Sequence, residues 1–387
     1  MKIALVHDYL REYGGAERVL EVMHELWPKA PLYTALVDWE GLGEHAKRFR
    51  GWDIRPSWVQ HNPIVRRFIS PLRFLAPRVW ESFDFSAYDV VLSSSGWFIS
   101  RGVIVKKPTV HICYIHHPPR HLYGYATGGL VEKYPLVRAY ASVINFFLRH
   151  YDYETAQRVD YFIANSKETA RRVRKFYRKE STVIYPPIQN PKSLPRRQAG
   201  KIQNPNNKSK REYFLSVGRL EWAKRTDLAI EACNKIKVPL KIVGTGSEEE
   251  RLRSIAGPTI EFLGPVSDEE LAEAYGGAKA LIFCSLDEDF GMVPVEAMAH
   301  GVPVIGLGQG GVRETVVDPS TGAGQATGVL FKKPEVADLI AAIKHFKSLS
   351  QNWAGNCRAQ AQKFSVERFK RELQAFVEEK GHPTPSK

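Results

Sequence analysis

A chain of 387 residues with 43% hydrophobic residues and a formal net charge of +13 exceeds what one hydrophobic core normally serves, so two domains of ordinary size are expected. Its longest nearly apolar stretch, Tyr140 to Leu148, falls far short of the roughly 20 residues that cross a bilayer and is read as a core helix; Ile3 to Val6 is too short for the apolar region of a signal peptide, so a cytoplasmic protein is expected. The positive charge suits phosphorylated ligands, an anionic membrane or nucleic acid alike, but no nucleic-acid module is recognisable, and Cys113, Cys233, Cys284 and Cys357 lack the spacing of a disulfide framework or zinc site.

The chain opens with a strand, Lys2 to Val6, followed by His7, Asp8, Tyr9 and a loop with Gly14 and Gly15. A helix then carries Val19, Val22, Met23 and Leu26 at helical spacing until Pro28 stops it. Two glycines before a helix let backbone amides approach a phosphate closely. From Trp58 to Trp80, arginines alternate with Ile64, Phe68, Ile69, Leu72 and Phe74, which reads as an amphipathic core helix or as a segment resting on an anionic membrane. Val90 to Leu92, Val110 to Ile115 and Tyr161 to Ala164 are continuous apolar runs, the pattern of strands buried on both faces of a parallel sheet. His116 and His117 follow the second of these runs.

Between Pro191 and Glu212 the sequence turns polar and basic, with Pro195, Pro205 and almost no large apolar residue after Leu194, as a linker would. The second half alternates again: strand Tyr213 to Val217, helix Asp227 to Lys235, strands Leu240 to Val243 and Ile260 to Leu263, helix Asp268 to Tyr275, strand Ala280 to Cys284. A last helix carries Phe369, Leu373 and Phe376 on one stripe. Such alternation in both halves predicts an α/β architecture of two Rossmann-like domains with ligands at the carboxyl ends of the strands.

Chemistry concentrates at two places in the second half. Glu288, Asp289, Phe290 and Gly291 form a loop entering the helix of Met292, Pro294 and Glu296, which ends at His300 and Gly301. Its carboxylates suit vicinal hydroxyls, and the amides of Gly291 and Met292 suit an anionic or hydroxylated ligand. Directly after a strand comes Gly218-Arg219-Leu220-Glu221-Trp222-Ala223-Lys224, which sets a fork donor and a point charge on one loop; Arg225 is read as a solvated residue.

On these motifs, with Glu296-Ala297-Met298-Ala299 and Gly301 to Ile305, the sequence resembles the retaining glycosyltransferases of family 4 over nearly the whole chain. The resemblance implies the GT-B fold, two Rossmann-like domains facing across a central cleft. Residues 1–190 would be the acceptor-binding domain, with a final helix at about 365–380 packing back onto it; 191–212 would be the linker and 213–364 the nucleotide-sugar-binding domain. Glu288 would contact hydroxyls of the transferred sugar and Glu296 the ribose. Arg219 and Lys224 would hold the pyrophosphate, with Gly14, Gly15, Phe290, Gly291 and Met292 also at the donor and Val266, in the loop Gly264 to Ser267, beside the base. His116, in preference to His117, would be the active-site histidine.

The opening His7-Asp8-Tyr9 and Gly14 to Arg18 look like bacterial O-antigen and exopolysaccharide mannosyltransferases. This implies GDP-mannose as donor, with a glycan or lipid-linked acceptor; the family resemblance implies no metal and no cofactor, the lack of a nucleic-acid module speaks against a nucleic-acid partner, and the protein is expected in the cytoplasm or peripheral on the inner face of the cytoplasmic membrane. The alternatives are a GT-B relative such as a nucleotide-sugar epimerase or sugar phosphorylase, and a non-catalytic membrane-attached binding protein.

Overall fold

All five residues of the strand Ile3–His7 (β1) are buried, and a strand without a polar face needs a layer on each side. The structure, a computed structural model, describes residues 1–126, 134–188, 211–321 and 325–381. The chain divides into two units, the first made of Met1–Tyr125, Leu130–Pro187 and Glu367–Lys387, the second of Ala126–Gly129 and Ile188–Val366. The expected linker, 191–212, lies outside the described residues except for Arg211 and Glu212.

In the first unit β1 is joined by β2 (Leu32–Thr34), β3 (Ile54–Pro56), β4 (Val90–Ser95), β5 (Val110–Ile115), β6 (Tyr161–Ala164) and β7 (Ser181–Val183) in the order β3-β2-β1-β4-β5-β6-β7. Every pairing is parallel. The order reverses between β1 and β4, where an open α/β sheet leaves a crevice at its carboxyl edge. Ala4, Val6, Val91, Trp80 and Phe85 pack on one part of the sheet, and Cys113, Ile115, Phe162 and Tyr177 on another. The helix Val366–Lys380 adds Phe369, Leu373 and Val377 to the buried interior, with the Phe369 ring 5.8 Å from that of Tyr114.

The second unit repeats the plan with β8 (Tyr213–Val217), β9 (Leu240–Val243), β10 (Ile260–Gly264), β11 (Ala278–Phe283), β12 (Val304–Leu307) and β13 (Gly328–Phe331), ordered β10-β9-β8-β11-β12-β13. These pairings are also parallel, and the order reverses between β8 and β11. Leu228, Ile230, Ile242, Ile282, Ile305, Leu339 and Ile343 share one core. Both units are therefore Rossmann-like.

Two expectations are corrected. Tyr140 to Leu148 is helical, within Pro135–Arg158, but it is not a core helix: Leu136 is 86% exposed and Phe146 and Phe147 65% each. Only Ala141, Leu148 and residues further along face inward, because the apolar residues outnumber what one buried stripe holds. Trp58 to Trp80 is a series of short turns, Trp58–His61, Pro63–Arg67, Arg73–Leu75 and Ala76–Trp80, since Pro63, Pro71 and Pro77 prevent one continuous helix. No helix among the described residues is long and apolar enough to cross a membrane.

Candidate functional site

Close backbone contact builds the loops at the carboxyl edge of the second sheet. Gly218 and Gly244 have φ of +150° and +122°, and a Cβ on Gly244 would lie 2.0 Å from the Gly218 carbonyl oxygen, so only glycine lets the loops after β8 and β9 touch. Leu220 N–H donates to Thr245 O at 2.8 Å and Glu248 N–H to Leu220 O at 2.9 Å. This frame carries Arg219, exposed on the loop, and Lys224, at the end of the single turn Trp222–Lys224.

Across the switch point, β11 leads into Ser285 and Glu288. The Lys224 ammonium donates to Glu288 Oε2 at 2.9 Å and to Ser285 Oγ at 3.3 Å, and Ser285 Oγ donates to the same Oε2 at 2.8 Å. The lysine and glutamate side chains are 28% and 15% exposed, open to a ligand yet partly shielded from water. Leu286 N–H donates to Ala223 O at 2.8 Å and fixes the two loops together. A third loop supports them: Gly311 N–H donates to Glu288 O at 2.9 Å, and a Cβ on Gly310 would lie 2.0 Å from that oxygen.

Phe290 is buried, its ring 5.4 Å from that of Phe364. Gly291, with φ of +88°, then turns the chain into the helix Met292–Ala299, on which Glu296 is half-buried. Val266 is half-buried after β10, and Ser267 caps the next helix through Glu270 N–H at 3.2 Å. Arg225 is not a solvated residue: it takes φ of +49° and pairs with Asp227 at 3.1 Å.

The carboxyl edge of the first sheet holds a buried polar chain. His7 Nδ1 and Ser94 Oγ share a hydrogen bond at 3.0 Å, Ser94 Oγ and His116 Nε2 another at 2.8 Å. His7 Nε2 lies 3.3 Å from Glu17 Oε1, and Glu17 Oε2 accepts the Gly14 N–H at 2.8 Å. The Gly14 amide is thus used in closing the start of the helix Gly15–Leu26, while Gly15 is exposed. Asp8 accepts the backbone N–H of Gly96, Phe98 and Ser100 at 3.0, 2.9 and 2.9 Å, which pins the loop after β4. Burial first, then His7 and His117, holds His116 well below the ordinary histidine range and keeps it neutral. His117 is half-buried, with Nε2 3.5 Å from where a Cβ on Gly96 would stand.

The structure thus joins Lys224 to Glu288 in the second unit and His116 to Ser94 and His7 in the first. Sequence reasoning did not single out Ser285, Ser94, Gly310 or Gly311. A serine one or two residues past a buried strand was the available signal for Ser285, and Gly308 to Gly311 offered a glycine-rich loop after β12.

Comparison with known proteins gives the family and the fold. Residues 13–189 match the family model described as Glycosyltransferase Family 4, and residues 198–364 that described as Glycosyl transferases group 1. The D-inositol 3-phosphate glycosyltransferase of Geodermatophilus obscurus is 29% identical over 237 residues, covering 54% of this chain and 50% of that protein. A GDP-mannose-dependent alpha-mannosyltransferase of Mycobacterium tuberculosis is 39% identical over 106 residues, 27% of this chain and 28% of its own length. The chain therefore spans half of the first relative and less than a third of the second. Among solved structures, Anabaena HepE in complex with UDP and glucose superposes with a TM-score of 0.66 at 19% identity, covering 98% of this chain and 99% of that one. Sucrose-phosphate synthase from Thermosynechococcus elongatus gives 0.70 at 18%, with the same coverage. These likenesses show the same fold.

Proposed function

The chain belongs to the glycosyltransferases of family 4 and group 1, with the GT-B fold, and from that premise we propose that it transfers a hexose, mannose from GDP-mannose, to a glycan or lipid-linked acceptor of cell-surface polysaccharide, retaining the anomeric configuration. The observation that carries this reading is the Lys224–Ser285–Glu288 cluster at the switch point of the second sheet. In this cluster a cation and a carboxylate satisfy each other, and they exchange partners when a ligand offers both phosphate and hydroxyls. Lys224 then turns to the diphosphate and Glu288 to a sugar hydroxyl.

As the glycosidic bond breaks, negative charge grows on the departing diphosphate. In this reading Lys224 and Arg219 face that charge, and fixed cations lower the barrier there more than they stabilise the bound donor. Glu296, on the helix Met292–Ala299, accepts the ribose hydroxyls. The neutral His116, held by Ser94, orients a hydroxyl of the transferred sugar without adding charge. The acceptor oxygen attacks the face that the diphosphate leaves. Support for mannose comes from the mycobacterial relative, named as a GDP-mannose-dependent alpha-mannosyltransferase, and is narrower than support for glycosyl transfer. A membrane-borne acceptor fits the exposed apolar residues and arginines of the first unit.

The test is thermal shift of the purified protein against a panel of nucleotide sugars, repeated on Glu296→Ala and Lys224→Ala. A rise in melting temperature with GDP-mannose that both substitutions abolish is expected. No shift with any nucleotide sugar overturns the reading.

A further inference from the structure

Three strands of the first sheet end at a pocket that the proposed mechanism does not use. Arg11 follows β1, Asp38 follows β2, and Gln60 and His61 follow β3; with Pro63, Arg66 and Arg67 they line a cavity of about 470 Å³. Because β1, β2 and β3 are parallel, their carboxyl-end loops lie along one edge of the sheet, the edge at which such folds take ligands.

The walls are built, not incidental. Leu10 bridges to Val37, and Asp38 N–H donates to Leu10 O at 2.7 Å. The Gln60 side chain clasps Val37 from both sides, accepting its N–H at 2.8 Å and donating to its carbonyl at 3.2 Å. Asn62 accepts Val65 N–H at 3.1 Å and so caps the turn that presents Arg66 and Arg67.

Three guanidinium groups share this pocket with a single carboxylate. Arg11 Nε lies 3.7 Å and Arg66 Nη2 3.6 Å from the two oxygens of Asp38, separations longer than a charge-assisted hydrogen bond. Asp38 therefore gathers two forks without saturating them. Arg67 lies over the Phe68 ring at 5.5 Å and forms no ion pair among the described residues. The surplus positive charge asks for an anion with several acceptor oxygens, and the planar fork of arginine matches phosphate in two-point contact. On the same turn Ile64 is 67% and Phe68 48% exposed, an apolar approach beside a cationic pocket.

We propose that this pocket is an anion subsite for the phosphate or diphosphate of the acceptor, with Ile64 and Phe68 receiving the lipid that carries it. The assignment rests on the glycosyl-transfer reading for the word acceptor, and its test is separable from that reading. Inorganic pyrophosphate is titrated calorimetrically into the full-length Lys224→Gln protein, in which the donor cluster is disabled, and into the same protein with Arg66→Gln and Arg67→Gln added. Pyrophosphate binding by the first that weakens about tenfold or more in the second, at unchanged melting temperature, is expected. Arg11→Gln in the Lys224→Gln background is a second, independent variant and should weaken binding in the same direction. Equal binding by all three proteins overturns the subsite. The difference between wild type and Lys224→Gln reports on the donor site alone, so failure of the mechanism shows there and not here. Phosphatidylcholine vesicles with and without phosphatidic acid separate the sources. Preferential sedimentation with phosphatidic acid that Arg66→Gln/Arg67→Gln removes supports a lipid phosphate, whereas equal sedimentation with both vesicles overturns the lipid half and assigns a soluble phosphorylated acceptor.

Discussion

Glu288 Oε2 accepts from both Lys224 and Ser285, so a neutral hydroxyl helps to aim a charged group. Ser285→Ala removes that aim and leaves every charge in place. We expect kcat/KM in a radiolabelled-sugar transfer assay to fall about tenfold, the worth of one hydrogen bond to a charged group, while thermal stability changes by no more than about 1 kcal/mol. His111 shows the opposite case, a buried group whose influence is on stability. Its Nε2 bonds Ser93 Oγ at 2.9 Å and its Nδ1 has no partner among the described residues. Burial pulls its pKa down to about 4, with Asp160 opposing and Arg101 assisting; burial and Arg358 place His300 at about 4 as well. The unfolded chain takes up a proton at these histidines near pH 6.5, which the folded protein refuses until about pH 4. Their stabilising contribution is whole above the unfolded pKa and is lost as pH falls through that window. Urea unfolding at neutral and mildly acid pH should show this decline, and His111→Gln should make it shallower.

At the scale of elements, the loop Gly308 to Gly311 matters as much as the motif it supports. A Cβ on Gly311 would stand 2.4 Å from Asp289 O and 2.5 Å from Phe290 Cα, so Gly311→Ala must push the Glu288 loop away from Lys224. A stability loss of about 1–3 kcal/mol is expected, together with weaker nucleotide-sugar binding in the thermal-shift panel. Gly276→Ala, on a helix with open space at that position, should leave donor binding unchanged. Long apolar strands were legible from sequence because burial on both faces writes a continuous run, as in Val110–Ile115. The strands Leu32–Thr34, Ile54–Pro56 and Ser181–Val183 were not, since three residues carry no periodicity and their identity comes from neighbours in the sheet. Lys224 and Glu288 were legible as motif residues, but their pairing to Ser285 depends on which loops the strand order makes adjacent. The face of Pro135–Arg158 was misread because an apolar run says nothing about whether another layer covers it.

Taken whole, the molecule has a charge of +13, and part of it sits where apolar residues are uncovered. Pro63 to Trp80 carries four arginines and no carboxylate; Tyr140 OH donates to Pro71 O at 2.6 Å and Arg73 donates to Asn145 at 3.0 Å, which joins this segment to the exposed helix. Sedimentation with anionic vesicles should be strong at low salt, fall as salt screens the arginines, and weaken in Phe146→Ser/Phe147→Ser. No sedimentation at low salt would remove membrane contact from the proposed function. The division of the chain has a consequence of another kind. The helix Val366–Lys380 supplies Phe369 and Leu373 to the first unit, yet it is made after every strand of the second. During synthesis at roughly 5–20 residues per second, the partner of Tyr114 reaches the ribosome exit only after Phe331 and the rest of the second sheet. The nascent first sheet therefore waits with an uncovered flank, and the half of the protein that is translated later is the half able to finish folding first.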